Sequence, residues 1–239
     1  MRPATIACVL AVVSIVVSVI PRIDITVAAY LACPGDTVWC HKADQPWEWL
    51  YRFGPLPPVA CGVVGIGLAL AGGVRRNRPV RTAGIFLAAN LLLGPGILGN
   101  STKFLWGRPR PRHIEQFGGT QQYRPVWAPR PGARGTSFPS GHVVTAFSLG
   151  GISVLAASPV ARGALVLASL VYGTLMGIAR MTQGAHFATD VTWSATLAWV
   201  AIAMAARAAF ARERPSGRPS HGGDGQSEGR RSSPAPPVR

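Results

Sequence analysis

Residues 177–193 read GIARMTQGAHFATDVTW, entered by an apolar run from Ala164 to Ile178 and left by a second one from Val191 to Ala206. Each run, with its flanks, is long enough to cross a membrane. An arginine, a histidine and an aspartate stand at their junction. A charged side chain at membrane depth costs about 2.5–3.5 kcal/mol on insertion scales, so such residues line a polar site or sit at the interface. What else the chain brings to this junction decides between the two.

The 239 residues are 48% hydrophobic and 14% charged, yet carry a net charge of +15. Positive mean hydropathy combined with that charge suits a membrane protein with basic loops rather than a soluble domain. Apolar windows fall at 4–20, 56–74, 82–100, 142–157, 163–179 and 188–206. Each approaches the roughly 20 residues that a spanning helix needs, the fourth being short. The runs are continuous rather than alternating, which argues against a β-barrel. The reading is an all-α integral membrane protein, with six transmembrane helices in one bundle over residues 1–211. Met1-Arg2 before an apolar stretch also fits a cleaved secretory signal. No small-residue cleavage site follows cleanly, so a retained helix is expected. The Pro/Gly/Ser/Arg-rich tail, 212–239, has no apolar periodicity and is expected to be disordered.

Orientation follows from the basic residues. The short loop VRRNRPVR (74–81) carries Arg75, Arg76, Arg78 and Arg81, which places it in the cytoplasm together with both termini. Residues 21–55, 101–138 and 180–187 then lie outside, on the periplasmic side of a bacterial-type inner membrane. The count is 13 Lys+Arg inside against 11 outside. Either the topology is inverted, or a function holds the outer arginines where they are. Cys33 and Cys40 share the first outer loop and could pair in an oxidising compartment. The sequence offers that pair no metal partner. Trp39, Trp47, Trp49, Trp106 and Trp127 sit near expected interfaces, where an aromatic belt is the default.

With six helices, three polar clusters reach the same outer face: KFLWGRPRPRH (103–113), SFPSGHVV (137–144) and RMTQGAHFATD (180–190). Lys103, Arg110 and Arg180 are fixed cations, and arginine's fork suits phosphate oxygens. Ser140 and Gly141 stand where a helix begins, so their backbone N–H groups can face an anion. His142 and His186 can carry protons near neutral pH. His186 and Asp190 are four apart, one helical turn, so Asp190 is expected to accept a hydrogen bond from the imidazole and leave its other nitrogen free as a nucleophile. Together these groups make a phosphoryl-transfer site that needs no metal.

K-x6-R-P (Lys103, Arg110, Pro111), P-S-G-H (139–142) and R-x5-H-x3-D (Arg180, His186, Asp190) resemble, in order, the three signature motifs of the type 2 phosphatidic acid phosphatase superfamily. The resemblance covers about residues 80–206. It implies that His186 attacks phosphorus and forms a phosphohistidine held by Asp190. His142 would protonate the leaving oxygen and later help activate water. Lys103, Arg110, Ser140, Gly141 and Arg180 would bind the phosphoryl oxygens. Ala179 stands where the third motif often has serine, which removes one possible hydroxyl contact. Spacing favours Arg110 over Arg108 in GRPRP. Arg108 and Arg112 are then candidate headgroup contacts, while Arg124, Arg130 and Arg134 fit no motif position.

The implied substrate is a phosphorylated membrane lipid, with no cofactor, no metal and no nucleic acid partner. GRPRPRHIEQFGG resembles the bacterial branch that includes lipid A phosphatases, and undecaprenyl pyrophosphate, phosphatidylglycerol phosphate and phosphatidate stay open. So does transfer of the phosphoryl group to a second lipid. A non-catalytic, anionic-lipid-binding protein would explain the arginines but neither P-S-G-H nor the His186–Asp190 spacing. The superfamily's soluble acid phosphatases and vanadate-dependent haloperoxidases fit poorly with the spans.

Overall fold

A computed structural model describes residues 2–33 and 39–211; the tail 212–239 lies outside the described residues. Among these residues the chain is helical, with a single isolated bridge (Ile114 to Gln121) and no strand. Helix α1 spans Pro3–Val19, α2 Ile23–Leu31, α3 Trp47–Phe53, α4 Leu56–Val74 and α5 Arg78–Leu91. A π-helical stretch, Leu92–Leu98, contains Pro95 and joins α5 to α6, Gly99–Trp106. After a long loop come α7 (Gly141–Ser148), a 3₁₀ extension (Leu149–Leu155), α8 (Pro159–Thr182) and α9 (Ala188–Phe210).

The stretches Trp47–Val74, Arg78–His113, Pro159–Thr182 and Ala188–Phe210 are long and apolar enough to cross a membrane. The pair α1 and α2, bent by 85°, counts as a fifth if taken as one span. Length and composition thus support four or five spans where the sequence predicts six. Beyond that bent pair, the difference lies in the fourth window, 142–157, where Gly141–Leu155 forms a shorter apolar helix. Its final seven residues are 3₁₀ rather than α. At about 1.5 Å per α residue and 2.0 Å per 3₁₀ residue it reaches roughly 26 Å, close to a hydrocarbon core of about 30 Å. Outward faces of the long helices are apolar, as at Val12, Val63, Leu70 and Leu167, which suits contact with lipid.

Helix α9 is central, with α1, α5 and α7 packed on it. Between α1 and α9 the glue is polar: Ser14 Oγ lies 2.9 Å from Thr196 Oγ1, and Trp193 Nε1–H donates to Ser18 Oγ at 3.1 Å. Such bonds suit helices in lipid, where apolar burial drives no association. Glycines bring α4 and α5 together, since a Cβ at Gly84 would stand 2.3 Å from Ala69 N and 2.5 Å from Gly65 O. Val143, Val144, Phe147, Met176, Val191 and Ala195 form the core beneath the loop face.

The described residues of the first expected outer loop are largely helical. Arg22, at φ 57°, turns the chain sharply out of α1, and α2 and α3 pack on the loop face. Cys33 and Cys40 are joined by a disulfide, with Cα atoms 6.0 Å apart. Next to it, Trp39 is packed rather than belt-like. It meets Phe117 edge-on, and a Cβ at Gly184 (φ +57°) would stand 2.3 Å from its ring.

Candidate active site

Hydrogen bonds from backbone N–H groups stitch the three motif segments together and to α9. Arg112 N–H donates to Gly184 O at 3.1 Å, Ser137 N–H to Arg108 O at 2.9 Å, and Ser140 N–H to Ser194 Oγ at 2.9 Å. Each bond joins segments distant in sequence, so first, second and third motifs share one frame.

At the start of α7, Ser140 is the N-cap residue, and its fully buried hydroxyl has no hydrogen-bond partner. A Cβ on Gly141 would stand 3.2 Å from Lys103 Nζ, so glycine lets the ammonium approach the helix N-terminus. Arg180 is 7% exposed; its guanidinium lies 4.5 Å over the Tyr51 ring and donates to Gln183 Oε1. The same Tyr51 ring lies 5.2 Å from the His142 ring. Buried Nε–H groups of Arg110 and Arg180 have no partner. A buried donor left unmade costs about 1–3 kcal/mol, so three such groups on three motif residues suit an acceptor-rich ligand.

His186 is 4% exposed, and its Nδ1 lies 2.5 Å from Ser137 O. A carbonyl only accepts, so Nδ1 carries the proton and Nε2 keeps its lone pair. Burial, then Arg180, Arg110 and Lys103, push the His186 pKa well below its ordinary value, against the opposing pull of the Ser137 carbonyl. The ring is thus neutral at neutral pH. Because the lowered pKa belongs to the free enzyme, His186 should impose no acid limb on kcat/KM near pH 6.5, once substrate ionisation is divided out; the nucleophile is lost only as pH drops through the lowered value, while the need for a protonated His142 sets the separate alkaline limb. The stability term has the matching sign. Unfolded His186 binds a proton below about pH 6.5 and the folded ring does not, so its contribution declines as pH falls from there. A pH–rate profile from 4 to 8 checks this; an acid limb at the ordinary histidine value would contradict it.

Asp190 does not hold His186 directly. One carboxylate oxygen pairs with Arg108 Nη1, while the other accepts from Ser137 Oγ at 2.5 Å and from Phe187 N–H at 2.9 Å. The expected one-turn contact fails because α9 begins at Ala188, with Phe187 as its N-cap. His186 lies outside the helix, and Asp190 serves as the cap. Its influence reaches His186 through Ser137, which gives Asp190 its hydroxyl and His186 its carbonyl.

Arg108 is not a headgroup contact. It is 1% exposed, its Nη2 donates to Asp24 Oδ2 at 2.5 Å, its Nη1 to Asp190 and Thr189 Oγ1, and its Nε to Arg124 O at 2.8 Å. Asp24, 2% exposed, also accepts from Thr189 N–H at 3.0 Å and Tyr123 O–H at 3.1 Å. This network ties α2 and the loop to the start of α9. Arg112 is half-buried beside exposed His113. Sequence reasoning missed Asp24, Tyr51, Ser137 and Ser194. Only Asp24 carried a signal, as a lone acid inside the apolar run IDITVAAYL.

Among the described residues, Cys33, Cys40 and His41 are the group near enough to share a metal, and both sulfurs are in the disulfide. The motif cluster itself gathers cations. Fold and site together define a helical, membrane-type protein with a buried, cation-lined histidine centre. The family model of the PAP2 superfamily matches residues 83–214, more than half of the chain, and the protein belongs to that superfamily. It is also similar to the lipid A 4'-phosphatase of Francisella tularensis subsp. novicida (strain U112), 28% identical over 187 residues that cover 76% of this chain and 84% of that one. No solved structure matches.

Proposed function

We propose that the protein is an integral membrane lipid phosphatase that forms a phosphohistidine on His186. The observation that carries this reading is the set of buried, unpartnered donors on Ser140, Arg110 and Arg180 beside a histidine whose Nε2 is free. In the first step the Nε2 lone pair attacks phosphorus, the bond to the leaving oxygen breaks, and His142 gives that oxygen a proton. In the second, His142 takes a proton from water, whose oxygen attacks the phosphohistidine and returns the electron pair to Nε2. Lys103, Arg110, Arg180 and the N-terminus of α7 stabilise the charge on the phosphoryl oxygens in both transition states. Asp190 and Ser137 act as positioning residues. Since these cations supply the charge a metal would, turnover should survive chelation.

The substrate class is a lipid phosphate or diphosphate presented from the bilayer, with lipid A favoured by the similarity to a lipid A 4'-phosphatase. The test is phosphate release by detergent-purified protein, in EDTA, from lipid A, undecaprenyl pyrophosphate, phosphatidylglycerol phosphate and phosphatidate in parallel. Release from lipid A above the others supports the assignment. Release from another lipid keeps the enzyme and changes the substrate, and release from none overturns the hydrolase.

We place six spans in the membrane, α7 with its 3₁₀ extension being the short one, and the site on the periplasmic face of an inner membrane. Support comes from Arg75 and Arg76 in the turn between α4 and α5 together with Arg78 and Arg81 in the first turn of α5. A reporter fused after Val80 should read cytoplasmic, and an external signal would invert the topology.

A further inference from the structure

The loop between Gly107 and Ser140 carries six arginines and one acid, Glu115. Arg108 and Arg110 belong to the network and the site, and Arg112 is half-buried next to exposed His113. The remaining three, Arg124, Arg130 and Arg134, line one cavity of about 370 Å³ with Gln121, Gln122 and Gly135. None of the three forms an ion pair among the described residues, and no carboxylate lines the cavity. Arg130 and Arg134 are exposed, as solvated loop charges would be. Arg124 is different: its Nη1 is buried and has no hydrogen-bond partner. Three like charges converging on a cavity repel one another, and a buried guanidinium nitrogen without an acceptor costs free energy. A phosphate would relieve both, since its oxygens match the arginine fork and the glutamine amides can donate to the same group.

The cavity is built into the catalytic frame. Arg124 gives its backbone carbonyl to Arg108 Nε at 2.8 Å. Gly135 lies so close to the Arg108 backbone that a Cβ would stand 2.2 Å from its carbonyl carbon. Two residues further on, Ser137 bonds both Asp190 and His186.

We propose that Arg124, Arg130 and Arg134 form a second phosphate-binding site, which takes a phosphate group other than the one cleaved. The inference rests on the lipid phosphatase reading above. Its ligand is a phosphate on the same headgroup or one on a neighbouring anionic lipid, and the experiment separates these sources. Full-length His186→Ala protein, which binds without turnover, is titrated in neutral detergent with bisphosphorylated and with monophosphorylated lipid A, each with and without phosphatidylglycerol. The same titrations are run after adding Arg130→Gln and Arg134→Gln, substitutions at exposed positions that leave the helices untouched.

Loss of two charge-assisted contacts should weaken binding by about tenfold or more. A loss confined to the bisphosphorylated lipid assigns the site to a second phosphate of the substrate. A loss that appears for both lipids only when phosphatidylglycerol is present assigns it to a neighbouring headgroup. Equal binding before and after the substitutions, equal loss for both lipids without phosphatidylglycerol, or no binding of either lipid by the parent overturns the proposal. Phosphate release by the unmodified protein is read separately, so failure of the phosphatase reading shows as binding without turnover.

Discussion

Replacing His186 by alanine is expected to reduce turnover by at least about 10⁴-fold while leaving the fold intact, since removal of a covalent nucleophile costs 10⁴–10⁶ in comparable enzymes. The fold should survive because the imidazole makes one hydrogen bond, to a backbone carbonyl, and sits in the polar site rather than in the α7–α9 core. Thermal unfolding in detergent and phosphate release, measured on the same preparation, check both halves. Unchanged melting with turnover lost is the expected pair. Residual activity within tenfold of the unmodified protein would remove His186 from the chemistry. His142→Ala should lose less with an activated leaving group such as a nitrophenyl phosphate, which needs no proton, than with a lipid substrate.

Arg108→Met should be the most damaging substitution for stability. It leaves Asp24 and Asp190, 2% and 0% exposed, without their shared cation. Breaking a buried ion pair by deleting one partner costs about 3–5 kcal/mol, because the remaining charge is stranded in low dielectric. Here two carboxylates are stranded, and both cap N–H groups at the start of α9. The expected outcome is a large fall in melting temperature, or failure to accumulate in the membrane. Adding Asp24→Asn to Arg108→Met removes one stranded charge and should recover part of the loss. A melting temperature within a few degrees of the unmodified protein would show that the network contributes little.

How much of this was legible in the sequence depends on the range of each interaction. Lys103, Arg110, Ser140, Gly141, His142 and Arg180 carry short spacings, and the fold brings them to one region through backbone bonds that no pattern encodes. The His186–Asp190 pair had the right spacing and the wrong contact, because the one-turn rule holds only inside a helix and α9 starts two residues after the histidine. Arg108 looked like a spare basic residue because its partners, Asp24 and Asp190, lie 84 and 82 residues away. Tyr51 was hidden for another reason: α3 is short, and its mixed sequence WEWLYRF has no clear apolar face. Hydropathy windows found the long helices, and Gly141–Leu155 falls short of a span by residue count because part of it is 3₁₀, where each residue covers more distance.

The central claim is a covalent bond between phosphorus and Nε2 of His186. The most direct measurement is an acid-free quench of the protein turning over lipid A labelled with radioactive phosphorus in the scissile group, followed by peptide mapping under alkaline conditions. The account predicts label on the peptide that carries residue 186, stable in base, released by acid and absent from the His186→Ala protein. Turnover with no label from the earliest time points onward, or label on any other residue, would contradict it.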